Sequence, residues 1–193
     1  MDCKQASEIT ELVKEKCEVA VSSLRWIKVI VVGNTGVGKT CLIKHFCEDK
    51  FSTGYQATIG VDYGFKTYSV NDTELRIHLW DLSGSSDYLD VRSELYHNTQ
   101  IVLLVYDITN ALSFTSLDNW YKEITRYSNG GALTILVANK IDLKSKRIVS
   151  IDEGLKWATA KDILYFETSA SSGNGVSRMF QDVLQKLMSR TDE

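Results

Sequence analysis

The chain has 193 residues, of which 44% are apolar and 24% charged, and its formal net charge at pH 7 is −3. That length suits one well-buried domain, and the mildly acidic balance excludes an electrostatic footprint for nucleic acid, so no nucleic-acid partner is expected. No run approaches the roughly 18 apolar residues of a membrane span and no secretory signal begins the chain, so we expect a cytoplasmic protein. The cysteines (Cys3, Cys17, Cys41 and Cys47) lack zinc-site spacing and are expected to be reduced thiols.

Residues 1–25 stand outside the pattern of the remaining chain and predict an amphipathic helical extension. Ser7 is a suitable N-cap, and Glu8 and Glu11 fall in the first turn. The apolar residues recur at three- and four-residue steps: Ile9, Leu12, Val13, Cys17, Ala20, Val21 and Leu24. Three roles stay open for this helix: packing on its own domain, docking to another protein, or contact with a membrane. Residues 26–193 are predicted to form the single main domain.

An apolar run over Ile27–Val32, typical of a buried strand, leads into a glycine-rich loop. Residues 33–40 read Gly-Asn-Thr-Gly-Val-Gly-Lys-Thr and fit the phosphate-binding template G-x-x-x-x-G-K-[ST]. The glycines let backbone N–H groups approach a β-phosphate, and the helix beginning near Lys39 points its positive end at the same charge. Lys39 adds a cation for the β and γ oxygens, and the Thr40 hydroxyl suits Mg²⁺. The loop predicts a nucleotide binder, with kinases, ATPases and GTPases all still open.

Strand-like and helix-like segments alternate from residue 26 onward, as in a βαβ fold. Further apolar runs of strand length cover 101–106, 133–138 and 163–166, and helical spacing connects the apolar residues of 114–124 and 176–188. Residues 61–79 differ, because apolar and polar side chains alternate on both sides of a turn at Asn71–Asp72, as in an antiparallel hairpin. The predicted fold is α/β, a mostly parallel sheet with one antiparallel edge strand.

Residues on both sides of this hairpin suit a metal ion and a third phosphate. Asp81 ends the second strand, where a carboxylate can hold a water of Mg²⁺, and Gly84 can offer an unobstructed N–H to a γ-phosphate. Thr58, just before the hairpin, can give Mg²⁺ a second hydroxyl only while a γ-phosphate holds its loop closed. The predicted metal set is therefore Thr40, Thr58 and Asp81.

The string Asn139-Lys140-Ile141-Asp142 narrows the choice of base. It follows a predicted parallel strand about 100 residues after the phosphate loop, where the edge of the sheet meets the ligand. The Asp142 carboxylate can accept two hydrogen bonds from guanine N1–H and N2–H₂, a donor pair that adenine lacks. Because a site built to hydrogen-bond a substrate group rejects analogues without it, Asp142 predicts selection of guanine over adenine.

With these residues in place, the chain resembles the Ras superfamily of small GTPases, and the Rab branch in particular, over about residues 26–190. The resemblance is carried by residues 51–63, Trp80-Asp81, Val105-Tyr106-Asp107 and Glu167-Thr168-Ser169-Ala170. It implies a P-loop NTPase fold of the small G-protein type, with six strands and about five helices, a GTP or GDP ligand, and Mg²⁺. It also implies that Phe51 stacks on guanine, that Tyr55 covers the phosphates and that residues 169–171 approach the base by backbone. The expected nucleotide-binding set is Gly33, Asn34, Thr35, Gly36, Val37, Gly38, Lys39, Thr40, Cys41, Phe51, Tyr55, Thr58, Gly84, Asn139, Lys140, Asp142, Ser169, Ala170 and Ser171.

One departure concerns hydrolysis. Rab proteins carry a glutamine directly after the Asp-x-x-Gly motif, and here Ser85 occupies that position. A serine hydroxyl is too short to orient the attacking water as a glutamine amide does. The bulk of the Thr35 side chain in the phosphate-binding loop also disfavours hydrolysis. We therefore expect very slow hydrolysis and assign no catalytic residue.

A second departure is the lack of a C-terminal cysteine motif, from which we expect no prenyl membrane anchor. The altered region after Gly84, together with residues 60–64 and 165–170, most resembles the RJL group, Rab-like proteins of which some carry a J domain, although no J domain is found in this sequence. That resemblance implies a role at a basal body, cilium or flagellum.

Two hypotheses of different classes follow. The first is a GTP/GDP switch that binds effectors and regulators through switch I (around residues 51–60) and switch II (around 84–97), with hydrolysis that is weak or depends on an activating protein. The second is a hydrolysis-deficient scaffold that keeps a guanine nucleotide bound and docks through its N-terminal helix. An ATP-dependent enzyme is disfavoured by Asp142. The three histidines (His45, His78 and His97) lack ligand spacing and are interpreted as structural or surface residues.

Overall fold

The computed structural model describes residues 25–51, 54, 56–71 and 73–191. The predicted N-terminal helix, apart from Arg25, therefore lies outside the described residues, as do Tyr55 and the second turn residue, Asp72.

The described chain contains one six-stranded sheet in the order β2-β3-β1-β4-β5-β6. Only β2 is antiparallel, and it pairs at the edge with β3, while the other neighbours are parallel. The predicted fold is confirmed, and β1 begins two residues earlier than the apolar run indicated. The strands are β1 Arg25–Val32, β2 Val61–Val70, β3 Thr73–Leu82, β4 Ile101–Asp107, β5 Leu133–Asn139 and β6 Leu164–Glu167.

Helices connect the strands as the βαβ pattern predicts. Two of them, α3 and α4, are separated by Ser116 alone and act as one flanking unit, so the expectation of about five helices holds for the described residues. Short 3₁₀ turns occupy Ser86–Tyr88 and Lys144–Lys146. The α-helices are α1 Lys39–Glu48, α2 Leu89–Leu95, α3 Ala111–Thr115, α4 Leu117–Tyr127, α5 Ile151–Ala160 and α6 Val176–Thr191.

Apolar side chains fill both faces of the sheet because successive residues of a strand point to opposite sides. Val29 and Val31 of β1 join α1 and α6 on one face, where the rings of Phe46 and Phe180 stack with centroids 3.6 Å apart. Ile30 and Val32 join α4 and α5 on the other face. The continuous apolar runs of β1, β4 and β5 thus reflect strands covered on both sides.

The fold positions the candidate site through the carboxyl ends of its parallel strands. The loops that follow β1, β3, β5 and β6 leave the same edge of the sheet, because these strands run in one direction. Among the described residues, no helix is both long enough and apolar enough to cross a bilayer.

Candidate nucleotide-binding site

The loop after β1 is bent so tightly that glycine is required. Gly33 has a φ of 138°, and a Cβ built there would lie 2.1 Å from the Val105 carbonyl oxygen. Gly38 is the N-cap of α1 in a left-handed conformation, with its carbonyl accepting from the Leu42 N–H at 2.9 Å. Gly36, Val37 and Thr35 complete the turn, with Val37 buried and Thr35 exposed.

Lys39 lies beneath this loop and is only 6% exposed. Its ammonium donates to the carbonyl oxygens of Gly33 at 2.9 Å and Asn34 at 3.1 Å. Burial lowers the pKa of Lys39 to about 8, against the attraction of the Asp81 carboxylate. A buried cation bonded only to neutral carbonyls is poised to gain stabilisation from an anion in the loop.

Three oxygen-bearing side chains from separate segments converge beside Lys39. The Thr40 and Thr58 hydroxyls lie 3.0 Å apart, and both donate to Oδ2 of Asp81, from Thr58 at 3.1 Å. Asp81 is 2% exposed, and its Oδ1 is buried without a hydrogen-bond partner in the described structure. Burial raises the pKa of Asp81, opposed by the hydrogen bond from Thr40. Two hydroxyls and a carboxylate with an unsatisfied oxygen are the hard donors that Mg²⁺ prefers, so these residues fit that ion.

The loop after β5 is tied to the phosphate-loop region by hydrogen bonds, of which those of Asn139 are buried. The Asn139 amide donates to the Val37 carbonyl at 2.9 Å and accepts from the Ala170 N–H at 3.1 Å. Lys140 donates to the Gly36 carbonyl at 2.8 Å and pairs with Asp107 at 2.7 Å. Asn139 therefore joins three of the segments that surround the candidate site.

Asp142 lies at the exposed rim of this region. Its Oδ1 accepts from the buried Ser169 hydroxyl at 2.6 Å, which leaves Oδ2 open to a further donor. Ala170 is buried and Ser171 exposed. A carboxylate oriented by one hydroxyl and facing solvent can accept hydrogen bonds from a ligand.

Two further predicted residues are less informative. Phe51 follows α1 and is 44% exposed, which is consistent with a ring that is not stacked on another group. Cys41 lies half-buried in the first turn of α1, and burial raises the pKa of its thiol. Tyr55 lies outside the described residues.

Switch II lies directly against the phosphate-binding loop. A Cβ built on Gly84 would come within 2.4 Å of the Thr35 backbone nitrogen, so no larger residue fits there without a shift. Ser85 caps the 3₁₀ turn that follows, since its hydroxyl accepts from the Asp87 N–H at 3.3 Å. The Ser85 side chain is thus engaged with its own loop.

A buried network that the sequence reading missed holds switch II on α4. Arg92 of α2 is 5% exposed and donates to the Ser83 and Ser85 carbonyls, and its guanidinium lies 4.8 Å from the Trp120 ring centroid. Glu123 accepts two hydrogen bonds from Arg92, at 2.6 and 2.9 Å.

The same network reaches the phosphate-binding loop through Asn34. Trp120 donates from its indole N–H to the Asn34 side-chain oxygen at 2.6 Å, and the Asn34 amide donates to the Ser116 hydroxyl at 3.2 Å. One signal was present in the sequence: Glu123 adjoins the apolar stripe of α4, between Trp120 and Ile124, where a charge needs a partner.

The chain is similar to known proteins over most of its length. A family model described as Ras family matches residues 28–189. The protein named DnaJ homolog subfamily C member 27 from Mus musculus is 44% identical over 164 residues, covering 82% of this chain and 60% of its own length. The Danio rerio protein of the same name is 41% identical over 170 residues, covering 86% of this chain and 62% of its own length. This chain therefore spans about three fifths of the length of these relatives.

Proposed function

Because the chain belongs to the Ras family and is a GTP-binding small GTPase by that membership, we propose that it acts as a Rab-like GTP/GDP switch with slow intrinsic hydrolysis. The observation that carries the proposal is the convergence of Thr40, Thr58 and Asp81 beside the buried Lys39. Thr58 is the only one of these four from switch I, so its position couples that loop to whatever occupies the metal and phosphate site.

In this proposal the phosphates lie over residues 33–40, where Lys39 exchanges its two carbonyl partners for phosphate oxygens. Mg²⁺, when bound, would neutralise negative charge on the phosphate oxygens. Thr40 and Thr58 supply hydroxyl ligands, and Asp81 orients a water of the ion. Gly84, held against Thr35, presents its N–H to the γ-phosphate. Release of that phosphate frees Thr58 and Gly84 together, which is the switch.

The base is bound at the opposite end of the site. Asp142 accepts from guanine while Ser169 holds its other oxygen in place. Asn139 and Lys140 fix the loop geometry, and the backbone of Ala170 and Ser171 lies beside the base. Phe51 and Tyr55 are proposed to cover the nucleotide from switch I.

Slow hydrolysis is proposed because the Ser85 side chain is shorter than the glutamine that orients the attacking water in related GTPases. Its hydroxyl oxygen accepts from the Asp87 N–H, which directs the side chain toward its own loop and supports the same proposal. Small GTPases that have the usual glutamine hydrolyse unaided at only on the order of 10⁻⁴ per second, so the GTP state here would persist for hours unless a partner supplies catalytic groups.

The test is single-turnover hydrolysis by GTP-loaded protein. We expect Ser85→Gln to hydrolyse GTP at least about tenfold faster than the natural chain, because a glutamine amide can orient the water. Ser86→Gln, one residue further along, is the matched control and should change little. A natural chain as fast as Ser85→Gln would show that residue 85 does not limit the chemistry.

Ser85 in the usual glutamine position also favours a second candidate, a scaffold that holds guanine nucleotide almost permanently. Releasing and identifying the nucleotide from native purified protein separates the two. A switch yields GTP or GDP that exchanges with added nucleotide, whereas a scaffold yields one nucleotide that does not exchange within its working lifetime.

The binding partners and the site of action in the cell are inferred from the resemblance to the RJL group. We propose effectors and regulators that read switch I and switch II, and a site of action at a basal body, cilium or flagellum. Imaging a fluorescent fusion against an axonemal marker tests the location, and diffuse signal throughout ciliated cells would refute it.

A further inference from the structure

One arginine holds the switch II backbone on both sides of Gly84. A terminal nitrogen of the Arg92 guanidinium donates to the Ser83 carbonyl at 3.4 Å and also to the Ser85 carbonyl. Ser83 is buried, and Arg92 is 5% exposed. The two carbonyls that flank Gly84 are therefore bonded to one buried cation.

The geometry of a peptide group connects Arg92 to the Gly84 N–H. The Ser83 carbonyl and the Gly84 N–H belong to the same planar trans peptide group, in which they point in opposite directions. A cation bonded to that carbonyl therefore aims the N–H away from the guanidinium. Hydrogen bonds in a chain polarise one another, so Arg92 also makes this N–H a stronger donor.

The guanidinium is itself held by several partners. Both oxygens of Glu123 accept from it, at 2.6 and 2.9 Å, and the Tyr96 hydroxyl donates to the same carboxylate at 2.8 Å. The guanidinium carbon lies 4.8 Å from the centroid of the Trp120 ring. Because all of these partners are side chains of this chain, the guanidinium is positioned without help from a nucleotide.

Helix α4 also holds the loop that Gly84 meets. Trp120 donates from its indole N–H to the Asn34 side-chain oxygen at 2.6 Å, and the Asn34 amide donates at 3.2 Å to the hydroxyl of Ser116, the N-cap of α4. A Cβ built on Gly84 would lie 2.6 Å from the Asn34 carbonyl carbon. The two backbone segments that meet at Gly84 are thus both anchored on the same helix.

We propose that Arg92 is a positioning residue for the γ-phosphate, which fixes the Gly84 N–H in its donating direction before the nucleotide binds. This role rests on the proposed function, in which that N–H faces the γ-phosphate. GDP has no third phosphate to meet Gly84, so only the triphosphate gains from the fixed N–H. A loop that is ordered beforehand spares the ligand the cost of ordering it, and Arg92 therefore raises the affinity for GTP relative to GDP.

The Arg92→Met/Glu123→Leu double variant tests this role. It removes both members of the ion pair, so no buried charge is left unpaired and the fold should be retained. We expect the affinity for guanosine 5′-(β,γ-imido)triphosphate, a non-hydrolysable analogue, to fall at least about tenfold, within the range usual for coupled sites. The affinity for GDP should stay that of the natural chain. A pair with only a structural role would leave the ratio of the two affinities unchanged, and that result would overturn the proposal.

A milder variant covers the case in which the double variant does not fold. Arg92→Lys keeps a cation beside Glu123 but lacks the fork needed to reach the carboxylate and the two carbonyls together. It should lower the analogue affinity at least about fivefold without changing the GDP affinity. Asp118→Ala, which removes an exposed ion pair with Lys161 from α4, is the matched control and should retain both affinities. Equal losses of analogue and GDP affinity in Arg92→Lys would overturn the proposal, by showing that the whole site is distorted.

Hydrogen exchange in the GDP-loaded protein gives a readout that does not involve a γ-phosphate. The backbone amides of residues 84–88 should lose protection in the double variant, because α4 no longer orders this segment. Equal protection in the double variant and the natural chain would overturn the proposal.

Thr58→Ala, measured alongside, separates this role from the proposed function. If the affinity ratio changes in Thr58→Ala but not in the double variant, the role of Arg92 alone is refuted. If the ratio changes in neither variant, the proposed switch is refuted as well.

Discussion

Arg92 of α2 and Glu123 of α4 form a buried two-pronged ion pair, with Nε to Oε1 at 2.6 Å and a terminal nitrogen to Oε2 at 2.9 Å. The Tyr96 hydroxyl donates to the same carboxylate at 2.8 Å, and burial with the nearby Glu123 charge raises the pKa of Tyr96, which keeps it a donor. Arg92 also donates to the Ser85 carbonyl. Glu123 therefore fixes switch II through Arg92 without itself lying in that switch.

Glu123→Ala should lower the free energy of unfolding by about 3–5 kcal/mol, because it leaves a buried guanidinium without its counter-charge. Urea unfolding monitored by circular dichroism measures the loss. Asp118→Ala is the matched control on α4: its ion pair with Lys161 is exposed, and its loss should cost less than about 1 kcal/mol. An Arg92→Met/Glu123→Leu double variant should recover most of the stability, and an unchanged free energy of unfolding in Glu123→Ala would contradict the role assigned to the pair.

A pH dependence of nucleotide affinity follows from Lys39. Burial lowers the pKa of Lys39 to about 8, and phosphate oxygens in the loop would raise it, because they favour the charged form. At a pH between the Lys39 pKa of the free protein and that of the nucleotide-bound protein, binding takes up one proton. The affinity for nucleotide should therefore be flat below about pH 7.5 and fall by up to tenfold per pH unit above pH 8.

The measurement is GDP affinity from pH 7 to 8.5, where most of the guanine N1–H is still protonated. Lys39→Arg is the control, because a guanidinium stays charged throughout. Its affinity is expected to be weaker overall but flat with pH. The same slope in Lys39→Arg would assign the titration to another group.

The parts of the molecule that were predictable from sequence are those whose determinants are local. The order of strands and helices, the edge hairpin and the family resemblance are confirmed, because periodicity and the motifs at 33–40 and 139–142 each lie within one short segment. The contacts of Arg92 with Glu123 and of Trp120 with Asn34 join residues 31 and 86 positions apart. No local pattern specifies such pairs, since they depend on how α2, α4 and the first loop meet in three dimensions.

Ser85 shows a different limit. Comparison with the family pattern was enough to show that the glutamine is missing. That the Ser85 hydroxyl caps the next turn could be seen only from the conformation of the backbone. Serine is a favoured cap, and the N–H two residues later is its usual partner, so the structure supplies a physical reason for a serine at this position.

Base selection should depend on Asp142. We expect Asp142→Ala to weaken GDP binding by roughly 10⁴-fold while leaving weak ADP binding unchanged, because only guanine loses hydrogen bonds to that carboxylate. Ser169→Ala, which removes the hydroxyl that orients Asp142, should weaken GDP binding to a smaller extent and should likewise leave ADP binding unchanged. Affinities from fluorescent nucleotide displacement measure both. GDP binding within tenfold of the natural chain in Asp142→Ala would refute guanine recognition at this residue.

Thr58→Ala should separate recognition of the γ-phosphate from recognition of the nucleotide. Thr58 contributes one hydroxyl to the cluster with Thr40 and Asp81, and it is the member that comes from switch I. Its loss should leave GDP affinity within about fivefold, since a neutral hydroxyl bond contributes only about 1 kcal/mol.

The preference for a non-hydrolysable GTP analogue over GDP should fall toward unity in Thr58→Ala, and capture of partners by the analogue-loaded protein should be lost, because switch I is no longer tied to the metal and γ-phosphate. Thr125→Ala on α4, which removes an exposed hydroxyl bonded only to its own helix, should behave as the natural chain does. Capture that persists in Thr58→Ala would show that partners read a surface other than switch I.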